Sequence, residues 1–219
     1  MNLEEFTAAN ATDDGGDGFQ KENKRLLDVP VDGTAMVKAG SMVAYTGEME
    51  FTGKASAEGG ITGFVKEAVS GEGTPIMEAT GRGHLYVADQ GKKVQVVELG
   101  ADESVSVNGN DVLAFEDRVG YEINTVGSIS EAISGGLTNV YLSGPGEIAL
   151  STHGDPVALT PPVTTDPDAT VAWSTNLSPS LTTNKKLEIG QQSGEFVQMR
   201  FDSEEGFVLV QPYEEGSQL

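Results

Sequence analysis

At 219 residues the chain has the length of one domain with enough material for a substantial core. Thirty-four acidic against 13 basic residues leave a net charge of −21. That balance opposes nucleic acid, where Lys and Arg must neutralise phosphates, and opposes anionic lipid for the same reason. Cysteine is absent, which excludes disulfides, thiol catalysis and Cys-ligated zinc.

Residues 1–25 are acidic, rich in Gly, Asp, Asn and Ala, and lack hydrophobic periodicity, so they read as a disordered or loosely attached tail. No basic region followed by an apolar stretch marks a secretory signal. No apolar run anywhere reaches the roughly 18 residues of a membrane span. "DDGGDG" (13–18) fails as a calcium loop: its third position is Gly15, and its twelfth is Lys24, where a bidentate Glu is required. Three small basic clusters, Lys21 with Lys24-Arg25, Lys92-Lys93 and Lys185-Lys186, read as solvated turn or tail charges.

From residue 26 to about 215 the pattern is one β domain: short apolar-alternating strands separated by turn signals such as Val31-Asp32-Gly33, Asn108-Gly109, His153-Gly154-Asp155 and Asp166-Pro167-Asp168. Residues 62–69 and 128–133 could form short helices, each just before a Ser-Gly pair.

Three landmarks recur in the same order. "MVAYTG" (42–47), "VLAFED" (112–117) and "TVAWST" (170–175) align on Ala44, Ala114 and Ala172. An aliphatic residue precedes each alanine (Val43, Leu113, Val171) and an aromatic follows it (Tyr45, Phe115, Trp173). Period-2 alternation predicts that the two flanking side chains share one strand face. Ser70-Gly71, Ser134-Gly135 and Ser193-Gly194 come next, and then Gly83, Gly146 and Gly206. After those glycines a period-2 apolar face restarts, with Leu85, Ile148 and Val208 two residues on and Val87, Leu150 and Val210 four residues on. The expected copies run over about 26–97, 98–158 and 159–213. In the third, Phe207-Val208-Leu209-Val210 is apolar on both faces and is expected either buried on both sides or at a subunit contact.

The Gly144-Pro145-Gly146 turn invites comparison with a phosphate loop, but a strand follows it where a helix N-terminus should stand. The third copy carries Ser203-Glu204-Glu205 in its place. These glycines are therefore expected to serve backbone geometry, with positive φ in a turn.

No catalytic constellation emerges. His84 and His153 fall at different offsets in their copies and do not form an equivalent pair. Asp166 and Asp168 read as turn residues, and Glu48 and Glu50 as an exposed strand face. Tyr45, Phe115 and Trp173 read as core before ligand pocket. No Gly-x-Ser-x-Gly elbow, Walker loop or zinc-binding His motif is present. Catalytic, cofactor-binding and metal residues are all expected to be none.

Taken together, "GSMVAYTGEMEFTG", "GTPIMEATGRGHLYVAD", "NDVLAFEDRV" and "YLSGPGEIALST" resemble the altered inheritance of mitochondria family, twenty-fourth type, over about Leu26 to Tyr213. The resemblance implies an all-β fold like the tryptophan RNA-binding attenuation protein (TRAP-like), a β-sandwich or double-stranded β-helix variant, here with three pseudo-repeats and few short helices. It implies self-association and carries over no catalytic residues or cofactor. RNA binding by analogy with the namesake fold runs against the charge of −21.

The expectation is a non-enzymatic, self-associating scaffold or interaction protein. The alternative is a small-molecule or nucleotide/RNA-binding module using a cleft between repeats; a hydrolase is the third reading. The even spread of carboxylates fits a cytoplasmic location in a high-salt cell, where charge repulsion is screened.

Overall fold

Alternating apolar residues such as Leu27-x-Val29-x-Val31 build strands with one buried face, and the chain does this almost throughout. In a computed structural model, which describes residues 1–12, 16–53, 76–125, 138–183 and 197–212, these runs form seventeen described strands, with one described α-helix and one 3-10 turn at Gly109–Asp111. In chain order they are α1 (Leu3–Ala9), β1 (Gln20–Asn23), β2 (Leu26–Lys38), β3 (Met42–Tyr45), β4 (Glu48–Gly53), β5 (Ile76–Val87), β6 (Lys93–Leu99), β7 (Ser104–Asn108) and β8 (Val112–Glu116). There follow β9 (Gly120–Thr125), β10 (Thr138–Ser143), β11 (Gly146–Thr152), β12 (Val157–Leu159), β13 (Val163–Thr165), β14 (Thr170–Ser174), β15 (Ser180–Thr183), β16 (Val197–Phe201) and β17 (Val208–Val210). The expected helices at 62–69 and 128–133, and all three Ser-Gly pairs, lie outside the described residues.

The strands pair into three antiparallel sheets. One has eight strands, ordered β3-β5-β2-β8-β11-β6, with β1 also on β2 and β4 also on β5. The second is β12-β17-β14-β7-β10-β9, and the third β13-β16-β15. The first apolar cluster (Leu27, Val29, Leu85, Val87, Leu113, Ala149 and neighbours) draws its strand residues from the eight-stranded sheet alone, so that sheet curls around its own core. Phe115, Ile148 and Leu150 pack on Val105, Val107, Val140 and Leu142 to join the first two sheets. Trp173 and Val208 pack on Met199 and Phe201 to join the second and third.

The N-terminal region departs from the tail expected for residues 1–25. Gln20–Asn23 pairs with β2, and Phe19 is buried in the first core, so the sheet begins upstream of Leu26. A single aromatic anchor outweighs the polar composition around it, because one buried Phe contributes about 1.5–3 kcal/mol. Further upstream, Asn2 and Glu5 form a capping box on α1, which buries none of its residues.

Gly83, Gly146 and Gly206 all take positive φ, at 149°, 146° and 106°. At Gly144-Pro145-Gly146 the chain leaves the six-stranded sheet at the end of β10 and enters the eight-stranded sheet as β11; before Gly206 it passes from β16 to β17 in the same manner. Gly83 differs. It sits inside the unbroken strand β5, where the missing side chain lets the carbonyl of Thr46 and the Cα of Gly47 lie against the strand.

The strand following each glycine pairs with the aliphatic-Ala-aromatic strand in one register. Ala44 lies opposite Tyr86, Ala114 opposite Ala149, and Ala172 opposite Leu209, each three residues past its glycine. All three ladders skip the residue before the alanine, a β-bulge at Val43, Leu113 and Val171. The bulge overturns the expected shared face. Leu113 joins the first core with Ala114 while Phe115 joins the second; Val171 joins the second core with Ala172 while Trp173 joins the third. One extra residue in a strand inverts the alternation beyond it.

Candidate functional site

Among the three matching aliphatic-Ala-aromatic strands, burial fails at β3. Phe115 and Trp173 are 0% and 1% exposed, as are Leu113, Ala114, Val171 and Ala172. Their counterparts in β3 lie open: Met42 is 44% exposed, Val43 60% and Tyr45 47%. The Tyr45 ring meets Phe51 of β4 edge-on, with centroids 5.5 Å apart, so the apolar surface is continuous across the two strands. Two hydrogen bonds just past β3 hold it to β5: the Thr46 N–H donates to the His84 carbonyl at 2.9 Å, and the His84 N–H donates to the Thr46 side-chain Oγ1 at 3.2 Å. Among the described residues no strand pairs with the opposite edge of β3. A sheet edge with unpaired main-chain groups and exposed apolar side chains is a template for another strand.

The Gly-Pro-Gly corner holds a carboxylate of the protein itself. The Glu147 N–H donates to Glu116 Oε2 at 2.7 Å, and Arg118 also pairs with Glu116. Glu147 in turn accepts from the Phe19 N–H at 2.7 Å, which fixes the N-terminal anchor. With Glu116 already on the turn's amide, an anionic phosphate would meet negative charge there.

A groove of about 520 Å³ opens between the first and second sheets. Leu99, Val105, Ile148, Leu150 and Leu209 give it an apolar floor, with Phe207 at one side; Glu98, Asp102 and Glu103 make part of its wall acidic. Apolar walls with carboxylates at the margin suit a neutral or cationic apolar ligand.

A buried ion network lies where β2, β5, β6 and β11 end together. Lys38 Nζ reaches Asp89 Oδ2 at 2.8 Å and donates to the Asn110 carbonyl at 2.7 Å. Lys92 Nζ lies 3.1 Å from Asp111 and 3.9 Å from Asp89, and Ser151 Oγ donates to Asp89 at 2.6 Å. Burial alone would raise the Asp89 carboxyl. The Lys38 charge and hydrogen bond, the Ser151 hydroxyl and the Lys92 charge outweigh it, and the group is held below its ordinary value. The expectation that Lys92 is a solvated charge is corrected: its side chain is 6% exposed. Asp89, three residues earlier, is a local partner, but the nearer carboxylate, Asp111, comes from a segment distant in sequence. Two cations and two carboxylates that satisfy one another make a structural clamp.

His84 points to a buried carboxylate, with Nδ1 2.9 Å from Asp28 Oδ2. His153 sits beyond β11, where its N–H donates to Gln211 Oε1 at 2.8 Å. The two histidines thus serve different segments. Asp166 accepts from the Asp168 N–H at 2.8 Å, a local turn bond. Glu48 and Glu50 lie on the exposed face of β4. Among the described residues no group of three or more His, Asp or Glu gathers in a metal-holding arrangement. No described helix is long and apolar enough to cross a membrane.

The model of the mitochondrial biogenesis AIM24 family matches residues 19–213. Among solved structures, the chain is similar to protein SPYM3_0169 from Streptococcus pyogenes, a structural genomics target, at 23% identity and a TM-score of 0.69. That similarity covers 90% of this chain and 92% of the other, and at this identity it speaks for the fold. No curated protein sequence matches the chain.

Proposed function

The chain belongs to the mitochondrial biogenesis AIM24 family, and from that premise we propose that it is a non-enzymatic, self-associating scaffold built from three pseudo-repeats. The observation that carries the reading is the open apolar edge of β3, where Met42, Val43 and Tyr45 stand exposed at positions buried in the two matching strands. Covering a large apolar side chain contributes about 1.5–3 kcal/mol, so a protein with three of them along an edge that no described strand pairs gains by pairing. The common register and bulge of the three strand pairs support the pseudo-repeat reading.

Val43→Asp and Val43→Lys test this proposal. Both change an exposed side chain, so each should leave folding stability within about 0.5 kcal/mol. Both should shift the protein toward monomer in light scattering. A monomeric parent, or an assembly indifferent to both variants, sinks the reading. Opposite charges guard against an effect of net charge alone.

The groove favours a second reading, a small-molecule-binding module. A ligand that co-purifies and raises the melting temperature saturably would promote it.

The charge of −21 supports a high-salt cytoplasm as the working environment. Stability should fall on dialysis from roughly 3 M to 0.1 M KCl, as the screening length grows from about 3 Å or less to about 10 Å. A melting temperature unchanged across that range would remove the salt argument.

A further inference from the structure

The two internal junctions of the fold show what is missing at its ends. Strands β2, β7 and β13 each lead through a short turn into β3, β8 and β14. Val37, Val107 and Thr165 occupy the same place in the three lead strands, seven residues before Ala44, Ala114 and Ala172. On one side each lead strand pairs with the strand that runs toward the next glycine: Val37 with Met77, Val107 with Val140, and Thr165 with Met199. On the other side two of them receive the aliphatic-Ala-aromatic strand of the following stretch. Val37 lies opposite Ala114, and Val107 opposite Ala172. Among the described residues nothing pairs with that side of β13, and nothing pairs with the outer side of β3.

The cores repeat the deficit. The first contains Leu113 and Ala114 from the following stretch, and the second contains Val171 and Ala172. Among the described residues the third core, around Trp173 and Met199, holds no such pair, while Val43 and Ala44 lie exposed on β3. Thr164 of β13 is exposed too, although Met36 and Ser106 at the matching positions are 3% and 6% exposed under their incoming strands.

We infer that β3 of one molecule pairs antiparallel with β13 of a second copy of this chain, Ala44 opposite Thr165 and Tyr45 opposite Thr164, so that Val43 and Ala44 complete the partner's third core. The register is the one made twice inside the chain. The joined edges are unlike, so the contact is head to tail, and repeating it gives a closed ring or a filament. The inference rests on the self-association proposed above and adds to it a partner, a register and a direction.

The chain has no cysteine, which makes cross-linking selective. Ala44→Cys and Thr165→Cys chains are prepared separately, checked for an unchanged melting temperature, mixed at high salt and oxidised. The expected result is a covalent two-chain species from the mixture, at least tenfold above that from either variant alone. Should Thr165→Cys impair folding, Tyr45→Cys with Thr164→Cys repeats the test at two exposed positions. Self-association without the mixed cross-link overturns this pairing and leaves the scaffold reading standing; a monomer overturns both. Cross-linking of Ala44→Cys with itself, or only within one doubly substituted chain, also overturns the head-to-tail contact, in favour of a symmetric edge or of closure inside the molecule.

Discussion

Asp89→Asn is expected to destabilise the protein by about 3–5 kcal/mol, the usual cost of removing one partner from a buried ion pair. The substitution keeps the shape of the side chain and deletes its charge. Lys38 and Lys92, with side chains 18% and 6% exposed, would then share a site with one carboxylate where they now share it with two. For a domain of this size that loss is a fall in melting temperature of roughly 10 °C. Adding Lys38→Met should recover part of it, since the second change removes the charge left uncompensated. The acid limb supplies an independent check. Asp89's pKa is lowered in the folded protein, so the stability it contributes is complete above the unfolded value near 3.9 and is lost as pH falls through the folded value. Asp89→Asn should flatten the stability–pH curve in that window and leave the slope at pH 6–8 unaltered. Denaturant unfolding at several pH values measures both; a loss under about 1 kcal/mol at neutral pH would show the network to be dispensable.

Gly83→Ala should cost about as much, for a different reason. A Cβ at Gly83 would clash with the Thr46 carbonyl oxygen and stand 3.2 Å from the Gly47 Cα, both backbone atoms of the β3–β4 corner, with φ at +149°. Backbone cannot swing aside as a side-chain tip does, so β3 and β4 must move off β5. Strain of about 1–3 kcal/mol from the dihedral combines with an overpacking cost of about 1–3 kcal/mol. Gly33→Ala is the control: φ is +120° there, but nothing lies within 4 Å of the added carbon. It should carry the dihedral cost alone. Equal melting temperatures for the two variants would mean that the close approach of the corner contributes nothing. The displacement predicted for Gly83→Ala should also weaken self-association, because it moves the edge on which the proposed contact depends.

Much of the architecture was legible in the chain. Alternating residues and frequent turn signals gave an all-β fold, and the positions of Gly83, Gly146 and Gly206 were read as sites of positive φ, as they are. Local chemistry suffices for such features, since a strand's alternation and a glycine's dihedral depend on a few neighbouring residues. The spacing of aliphatic-Ala-aromatic triplets likewise located three strands that share one register.

Other features depended on partners far away in sequence. Nothing local tells Val43-Ala44-Tyr45 from Leu113-Ala114-Phe115; one lies on an open edge and the other between two strands, because only the second receives β2 alongside it. Lys92 looks like a turn lysine, three residues after Asp89, until Asp111 and Lys38 bring two distant segments to the same site. The bulges that divide Leu113 from Phe115 and Val171 from Trp173 between two cores are set by cross-strand register, which no single strand contains. The amino-acid sequence by itself determined which residues want burial and where the backbone can turn. Tertiary structure alone decided which of those residues obtained it, since burial requires a neighbouring strand on the correct side, and for β3 no described strand of the chain supplies one.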